Sequence, residues 1–212
     1  KRPAFGAVAF DVSAPTFRSK EYPEYKAHRS RMPDDLRVQL PYIDKVVAAF
    51  GFPAVRMPGY EADDVIGTLT REAVEAGHDV VIVSSDKDFA QLIGPSVRMF
   101  DSMRDVTYDV ELARKKWGVQ PEQFIDYLAL LGDKVDNIPG VPGIGKKGAT
   151  TLLEAHGSLD AILATVETLK GRAKKALTEH RELALLSRTL ATIDQHVPLE
   201  TGLKGLSLPD VD

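Results

Sequence analysis

The chain has 212 residues, 43% of them hydrophobic, and a formal charge of −4 from 27 Lys and Arg against 31 Asp and Glu. That length suffices for one sizeable core, or one core with a small appended lobe. No run of about 18 apolar residues and no positive-then-apolar leader appear, so neither a membrane span nor a secretory signal is expected. The absence of cysteine excludes disulfides, zinc–thiolate centres and cysteine nucleophiles, and it fits a reducing cytoplasm. The histidines at 28, 78, 156, 180 and 196 lack ligand spacing and read as surface or core positions. The acidic balance argues mildly against a nucleic-acid partner, but the distribution of charge outweighs its sum.

Residues 6–10 (GAVAF) form an apolar run ending at Asp11 and predict a buried strand. Residues 13–32 are polar, aromatic and basic: Arg18, Lys20, Lys26, Arg29 and Arg31 alternate with Phe17, Tyr22 and Tyr25. Pro33-Asp34-Asp35 predicts a helix start, with an amphipathic run to Phe50. A strand is expected over 52–57. A helix is expected over 61–76, where Ala62, Val65, Ile66, Leu69 and Ala73 keep the spacing of one helical face before Gly77 ends it. Residues 79–83 (DVVIV) predict a strand, followed by Ser84–Asp88 and a short helix to Ile93. Two more strands are expected at 97–100 and 106–108. Helices then follow at 110–117, 121–131, 146–155, 158–165 and 170–191. Alternating strands and helices predict an α/β fold with a mainly parallel central sheet flanked by helices on both faces. The expected organisation is an α/β core over 1–109, a helical region over 110–196, and a tail or linker over 197–212.

The acidic residues fall at the ends of elements. Asp11 closes the first strand, Glu61, Asp63 and Asp64 open a helix, Asp86 and Asp88 follow the most apolar strand, and Asp133 and Asp136 follow a helix ending at Gly132. In a parallel sheet the carboxyl ends of strands share the edge where ligands bind. Taken singly, each acid has a structural reading as a helix-dipole partner, an N-cap or a turn residue. Taken together, gathered carboxylates repel one another unless cations neutralise them, and hard oxygen ligands suit Mg²⁺ or Mn²⁺. A pair of such ions about 4 Å apart can activate water and stabilise the leaving oxygen in phosphodiester hydrolysis.

Residues 137–147 read Asn-Ile-Pro-Gly-Val-Pro-Gly-Ile-Gly-Lys-Lys between two expected helices. Gly143 and Gly145 let a backbone approach a phosphate, the next helix aims its first amides at the same anion, and Lys146 and Lys147 add charge. A helix–helix turn is the plain alternative. Gly140 to Lys146 also fits the opening of a nucleotide-binding P-loop. However, Lys147 stands where Ser or Thr would be needed, and no strand precedes the loop. In the basic segment, Lys26, Arg29 and Arg31 could meet a nucleic-acid backbone and Tyr25 could stack on a base, or the segment could be a solvated loop.

VAFD ending at Asp11, TFR at Thr16–Arg18, YKAHR at Tyr25–Arg29, MPDDLR at Met32–Arg37, YEADDVIGTL at Tyr60–Leu69, SSDKDFAQL at Ser84–Leu92 and LLGDKVDNIPGVPGIGKKGA at Leu130–Ala149 resemble the 5′ nuclease (flap endonuclease-like) domain of bacterial DNA polymerase I. The resemblance runs from about residue 5 to 200, in family order. It implies a helical arch within 13–32, a helix–three-turn–helix element at 137–147, and a metal-dependent enzyme that removes 5′ flaps and RNA primers and acts as a 5′→3′ exonuclease. It implies a first metal site at Asp11, Glu61, Asp63 and Asp64 and a second at Asp86, Asp88, Asp133 and Asp136. Catalytic Lys26 and Arg29 are implied near the scissile phosphate, with DNA contacts at Arg18, Tyr25, Gly143, Gly145, Lys146 and Lys147 and a K⁺ ion at the hairpin. Duplex DNA bearing a 5′ flap is the implied partner, with a polymerase region in the same native chain, a monomeric state and a bacterial, nucleoid-associated location. The resemblance departs at its start: the family opens with a strand carrying an Asp-Gly motif and an arginine-bearing helix, and this sequence begins at the following strand. A shortened chain is the expectation. The competing readings are a non-catalytic DNA-binding module with an incomplete metal site and an RNA-cleaving nuclease with a similar acidic core.

Overall fold

The computed structural model describes residues 3–208 and divides into two compact units. The first comprises Lys1–Glu21, His28–His78 and Ile193–Asp212; the second comprises Tyr22–Ala27 and Asp79–Thr192. The expected cuts at 109/110 and 196/197 are not where these units separate, because the chain crosses between them at 21/22, 27/28, 78/79 and 192/193.

In the first unit, β1 (Val8–Ala9) precedes α1 (Phe17–Glu21), α2 (Asp34–Arg37), α3 (Leu40–Ala49), β2 (Ala54–Val55) and α4 (Ala62–Glu75). β1 and β2 pair in parallel, Val8 with Ala54 and Ala9 with Val55. The helix expected from Pro33 is broken between Arg37 and Leu40. Pro41, in the first turn of α3, lacks an amide hydrogen and its ring would clash with the carbonyl of Arg37 in a continuous helix. α2 and α3 bury no side chain among the described residues, and Phe50 is 73% exposed.

α4 buries Val65, Thr68 and Ala73. Against it lies the returning segment from Ile193. A Cβ on Gly67 would come within 2.5 Å of the Ile193 side chain, Arg71 Nε donates to the Gln195 carbonyl at 2.8 Å, and the Val197 amide donates to Thr68 Oγ1 at 3.0 Å. The expected tail is therefore a packed strap up to residue 208. Val197 and Leu206 are buried, the Gly6 amide donates to the Leu206 carbonyl and the Leu208 amide to the Ala4 carbonyl, each at 3.0 Å. Residues 209–212 of that expectation lie outside the described residues. The strap escapes periodicity because isolated backbone bonds, turns and one short 3-10 helix at Leu203–Leu206 satisfy its polar groups.

In the second unit, β3 (Val80–Val83), β4 (Val97–Asp101) and β5 (Val106–Tyr108) form a three-stranded sheet in that order. β3 and β4 are parallel, with Ile82 opposite Met99; β4 and β5 are antiparallel, with Met99 opposite Tyr108. Two of the three strand pairings are thus parallel, as expected, but the strands lie in two sheets. In this sheet Ile82, Val97, Met99 and Tyr108 are buried while Val81 and Val83 are exposed.

The helical part follows as α5 (Val110–Trp117), α6 (Phe124–Leu131), α7 (Lys146–His156), α8 (Leu159–Ala164), α9 (Gly171–Glu179) and α10 (Arg181–Ala191). Asp109 caps α5 by accepting from the Leu112 amide at 2.8 Å, which is the usual role of an aspartate at that position. α6 is central: Phe124, Leu128, Ala129 and Leu130 are buried, and the helix packs against α7 and α10. The helix expected over 170–191 divides at His180, and no residue there explains the break locally.

After α6 the chain turns at Gly132 (φ 77°) and passes back over it at Gly140 (φ 64°). The Gly140 amide donates to Ser187 Oγ on α10 at 2.9 Å. A Cβ on Gly140 would lie 2.3 Å from the Gly132 amide nitrogen. Gly140→Ala combines left-handed strain with a backbone clash and is expected to cost about 3 kcal/mol or more. A thermal melt several degrees below wild type would confirm this, and an unchanged midpoint would contradict it.

Candidate metal centre

The second unit brings three of its four expected acids together. Asp86 leaves β3 in an extended conformation and caps a 3-10 turn over Lys87–Leu92, its carboxylate accepting from the Asp88 amide at 3.0 Å. Phe89, Ala90 and Leu92 are buried, so the turn is anchored and Asp88 is carried inward with it. Asp133 follows α6. Its backbone pairs with that of Ile138 through two bonds of 2.8 and 2.7 Å, and its Oδ1 accepts from the Val135 amide at 2.8 Å. This closed loop returns Asp136 toward Asp133. Carboxylate oxygens of Asp88, Asp133 and Asp136 all lie within 4.8 Å of one another, and all three residues are buried. Asp86 stays exposed, outside this trio.

Buried carboxylates at such distances require cations. Lys87 supplies one: its Nζ lies 3.1 Å from Asp88 Oδ1 and pairs also with Asp133 Oδ2. Lys26 supplies another, 3.5 Å from Asp136 Oδ2. Burial pushes the Asp88 carboxyl up to about 6, with Lys87 opposing the shift and Asp86 and Asp133 reinforcing it. For Lys87, burial works against the cation, but the Asp88 and Asp133 carboxylates outweigh it and hold its pKa above the ordinary lysine value.

Residues 22–27 are clasped onto the Asp133–Ile138 loop. The Lys26 amide donates to the Asp136 carbonyl at 3.0 Å, and Asn137 Nδ2 donates to the Glu24 carbonyl at 2.7 Å. Lys26 and Asn137 both adopt positive φ to allow this. The Tyr25 hydroxyl donates to Asp136 Oδ2 at 3.4 Å. Tyr25, expected to stack on a base, is only 6% exposed. Lys26 keeps a partly open side chain and Arg29 is exposed. Sequence reasoning passed over Lys87 and Asn137, although their positions inside the two acidic motifs were a signal.

In the first unit, Asp11 Oδ1 accepts from the Ala62 amide at 2.8 Å and so lies against the start of α4, where Glu61, Asp63 and Asp64 also lie. Arg18, expected as a DNA contact, is buried, 2% exposed. It bonds Glu61 at 3.1 Å and Asp64 at 2.8 and 2.7 Å. Among the described residues, the first group does not reach the mutual proximity of Asp88, Asp133 and Asp136.

At the hairpin, Val141 and Ile144 are buried while Gly143, Gly145, Lys146 and Lys147 are exposed. Gly145 caps α7 in an extended conformation, so the first amides of that helix point outward beside the two lysines. The element before the loop is α6, which removes the strand a P-loop needs. The donor set of the trio is all oxygen, which fits a hard divalent cation.

The Asp88 shift has a measurable sign. Its folded pKa of about 6 exceeds the ordinary value of 3.8, so the folded state keeps a proton that the unfolded chain has released. The associated stability is present at low pH and is lost as pH rises through about 6. In EDTA, Asp88→Asn should match wild type near pH 4 and melt higher than wild type above about pH 6.5. A difference independent of pH would contradict this.

Comparison with known proteins agrees with these features. The family model "5′-3′ exonuclease, N-terminal resolvase-like domain" matches residues 1–118, and "5′-3′ exonuclease, C-terminal SAM fold" matches residues 119–212. DNA polymerase I of Rhizobium leguminosarum is 44% identical over 97% of this chain and 20% of its own length, and that of Pseudomonas aeruginosa is 46% identical over 94% of this chain and 23% of its own. A 5′-3′ exonuclease of Aquifex aeolicus is 42% identical over 87% of this chain and 64% of its own length. The chain thus spans about a fifth to a quarter of the DNA polymerase I relatives. The T5 5′-exonuclease solved with bound zinc superposes with a TM-score of 0.76 at 26% identity, covering 89% of this chain and 74% of that one. With both family models matched in order across its length, the chain belongs to the 5′-3′ exonuclease family.

Proposed function

We propose that this chain is a divalent-metal-dependent 5′ nuclease that hydrolyses DNA phosphodiester bonds at 5′ ends and 5′ flaps. The observation that carries this reading is the buried trio Asp88, Asp133 and Asp136 with Lys26 3.5 Å from Asp136. Such a trio is costly to build unless a cation repays it, and a lysine beside it suits the negative charge of a scissile phosphate. Asp88, Asp133 and Asp136 would hold one divalent ion, with Asp86 at its margin; Asp11, Glu61 and Asp63 would face another. We read the ions as Mg²⁺ or Mn²⁺ from the all-oxygen donors. When bound, they supply charge neutralisation at the phosphate and activation of the attacking water.

The chain's own residues do the rest. Lys26 places positive charge at the phosphate beside Asp136, and the exposed Arg29 is offered as a further cationic contact to DNA. Gly143, Gly145, Lys146 and Lys147, with the first amides of α7, grip the duplex backbone without reading sequence, and hairpin carbonyls are candidates for a K⁺ ion. The relatives called DNA polymerase I support work in replication and repair, RNA-primer removal included, beside a polymerase region and in the bacterial cytoplasm with the nucleoid. No helix among the described residues is long and apolar enough to cross a membrane. We read the chain as acting as a monomer.

Cleavage of a labelled 5′-flap duplex tests this. Activity should require Mg²⁺ or Mn²⁺ and fall at least about a hundredfold in Asp133→Ala, with flap binding retained in Ca²⁺. Equal cleavage in EDTA, or full activity in Asp133→Ala, would contradict the reading. Flap binding without cleavage at any metal concentration would instead identify a non-catalytic DNA-binding module.

A further inference from the structure

The carboxylate of Asp64 sits among the acids of the first group but is bonded unlike the others. Its Oδ1 accepts from Arg18 Nη2 at 2.7 Å and from the Asp194 amide at 2.8 Å. Its Oδ2 accepts from Arg18 Nη1 at 2.8 Å and from the Glu61 amide at 3.0 Å. Asp64 is 0% exposed. A carboxylate offers about four lone-pair sites, and all four are taken by donors that a metal ion would have to displace. One of those donors is an arginine, which stays charged at any working pH.

Glu61 is held by the same assembly at both ends. Its amide donates to Asp64, and its Oε2 accepts from Arg18 Nη1, which is shared with Asp64. Glu61 is also the N-cap of α4, in an extended conformation, so the lock sets where the first turn of the helix begins. We propose that Asp64 is not a metal ligand, and that the closed Arg18–Asp64 pair is a positioning device that presents Glu61 to the first cation. Outer partners that orient a ligating carboxylate commonly change metal affinity about 10- to 100-fold when removed. The proposal deepens the function above and rests on its reading that Glu61 faces a cation.

Mn²⁺ titration of the whole chain by calorimetry tests it, with the second group disabled throughout by Asp133→Asn. Arg18→Gln deletes a positive charge beside the carboxylates, which on electrostatic grounds alone would tighten Mn²⁺ binding. The positioning role requires the opposite: a loss of about tenfold, shrinking to within about twofold when Glu61 is already Gln. Arg18→Lys keeps the charge without the fork and should give an intermediate loss. Asp64→Asn weakens the same pair and should lose no more Mn²⁺ affinity than Arg18→Gln and less than Glu61→Gln, while lowering the melting midpoint in EDTA. Tighter or unchanged binding in Arg18→Gln overturns the proposal, as does an equal loss in the Glu61→Gln background. Asp64→Asn that loses Mn²⁺ as fully as Glu61→Gln, with an unchanged midpoint in EDTA, restores Asp64 as a ligand. Should Arg18→Gln or Asp64→Asn fail to fold, Arg18→Lys decides, and wild-type affinity there overturns the proposal. Wild-type affinity in Glu61→Gln would sink the premise that Glu61 faces a cation, an outcome separate from those of Arg18.

Discussion

Buried carboxylate charge is the constraint on which this molecule is organised. Desolvated acids repel one another and must be matched by cations or hydrogen-bond donors. In the second unit the matching is partial: Lys87 reaches Asp88 and Asp133, and Lys26 reaches Asp136, each with a single charged head on a long stem. In the first unit it is complete at Asp64, where a planar guanidinium and two backbone amides fill both oxygens. Lysine leaves room for exchange with a metal ion, whereas the arginine fork closes its carboxylate. The same residue type therefore has two jobs, set by which cation answers it.

The fold serves this arrangement by ending elements at the acids. β3 stops just before Asp86, α6 stops just before Asp133, and α4 starts just after Glu61. Glycines at 132 and 140 let the backbone cross itself and close the Asp133–Ile138 loop. The anchors lie farther away: Ser187 on α10 holds Gly140, and Gln91 links the Asp88 carbonyl to that of Ala191. Rigid supports of this kind keep carboxylates at separations they would not choose alone.

Much of this was legible in the sequence because element ends carry local signals. Asp88, Asp133 and Asp136 stood out as acids following an apolar run or a helix-ending glycine. The helices at 110–117 and 146–155 were readable from periodicity and flanking glycines. Pro41 is a local signal for the break between Arg37 and Leu40, masked by the amphipathic pattern that runs to Phe50. Arg18 was not legible: in a basic segment an arginine reads as a phosphate contact, and its burial depends on partners 43 and 46 residues away. The burial of Tyr25 is hidden for the same reason, since Asp136 is 111 residues distant. The strap over 197–208 has no period because its order comes from packing on α4 and bonds to residues 4–6.

A divalent cation held by Asp88, Asp133 and Asp136, with Arg18 kept on Asp64, can be seen by anomalous diffraction from crystals of the chain grown with Mn²⁺. The expected result is an anomalous peak in contact with Asp88, Asp133 and Asp136, Lys87 withdrawn from Asp133, and Arg18 still forked on Asp64. An ion bound to Asp64 with Arg18 displaced, or Lys87 still seated between Asp88 and Asp133 with no peak beside them, would contradict it.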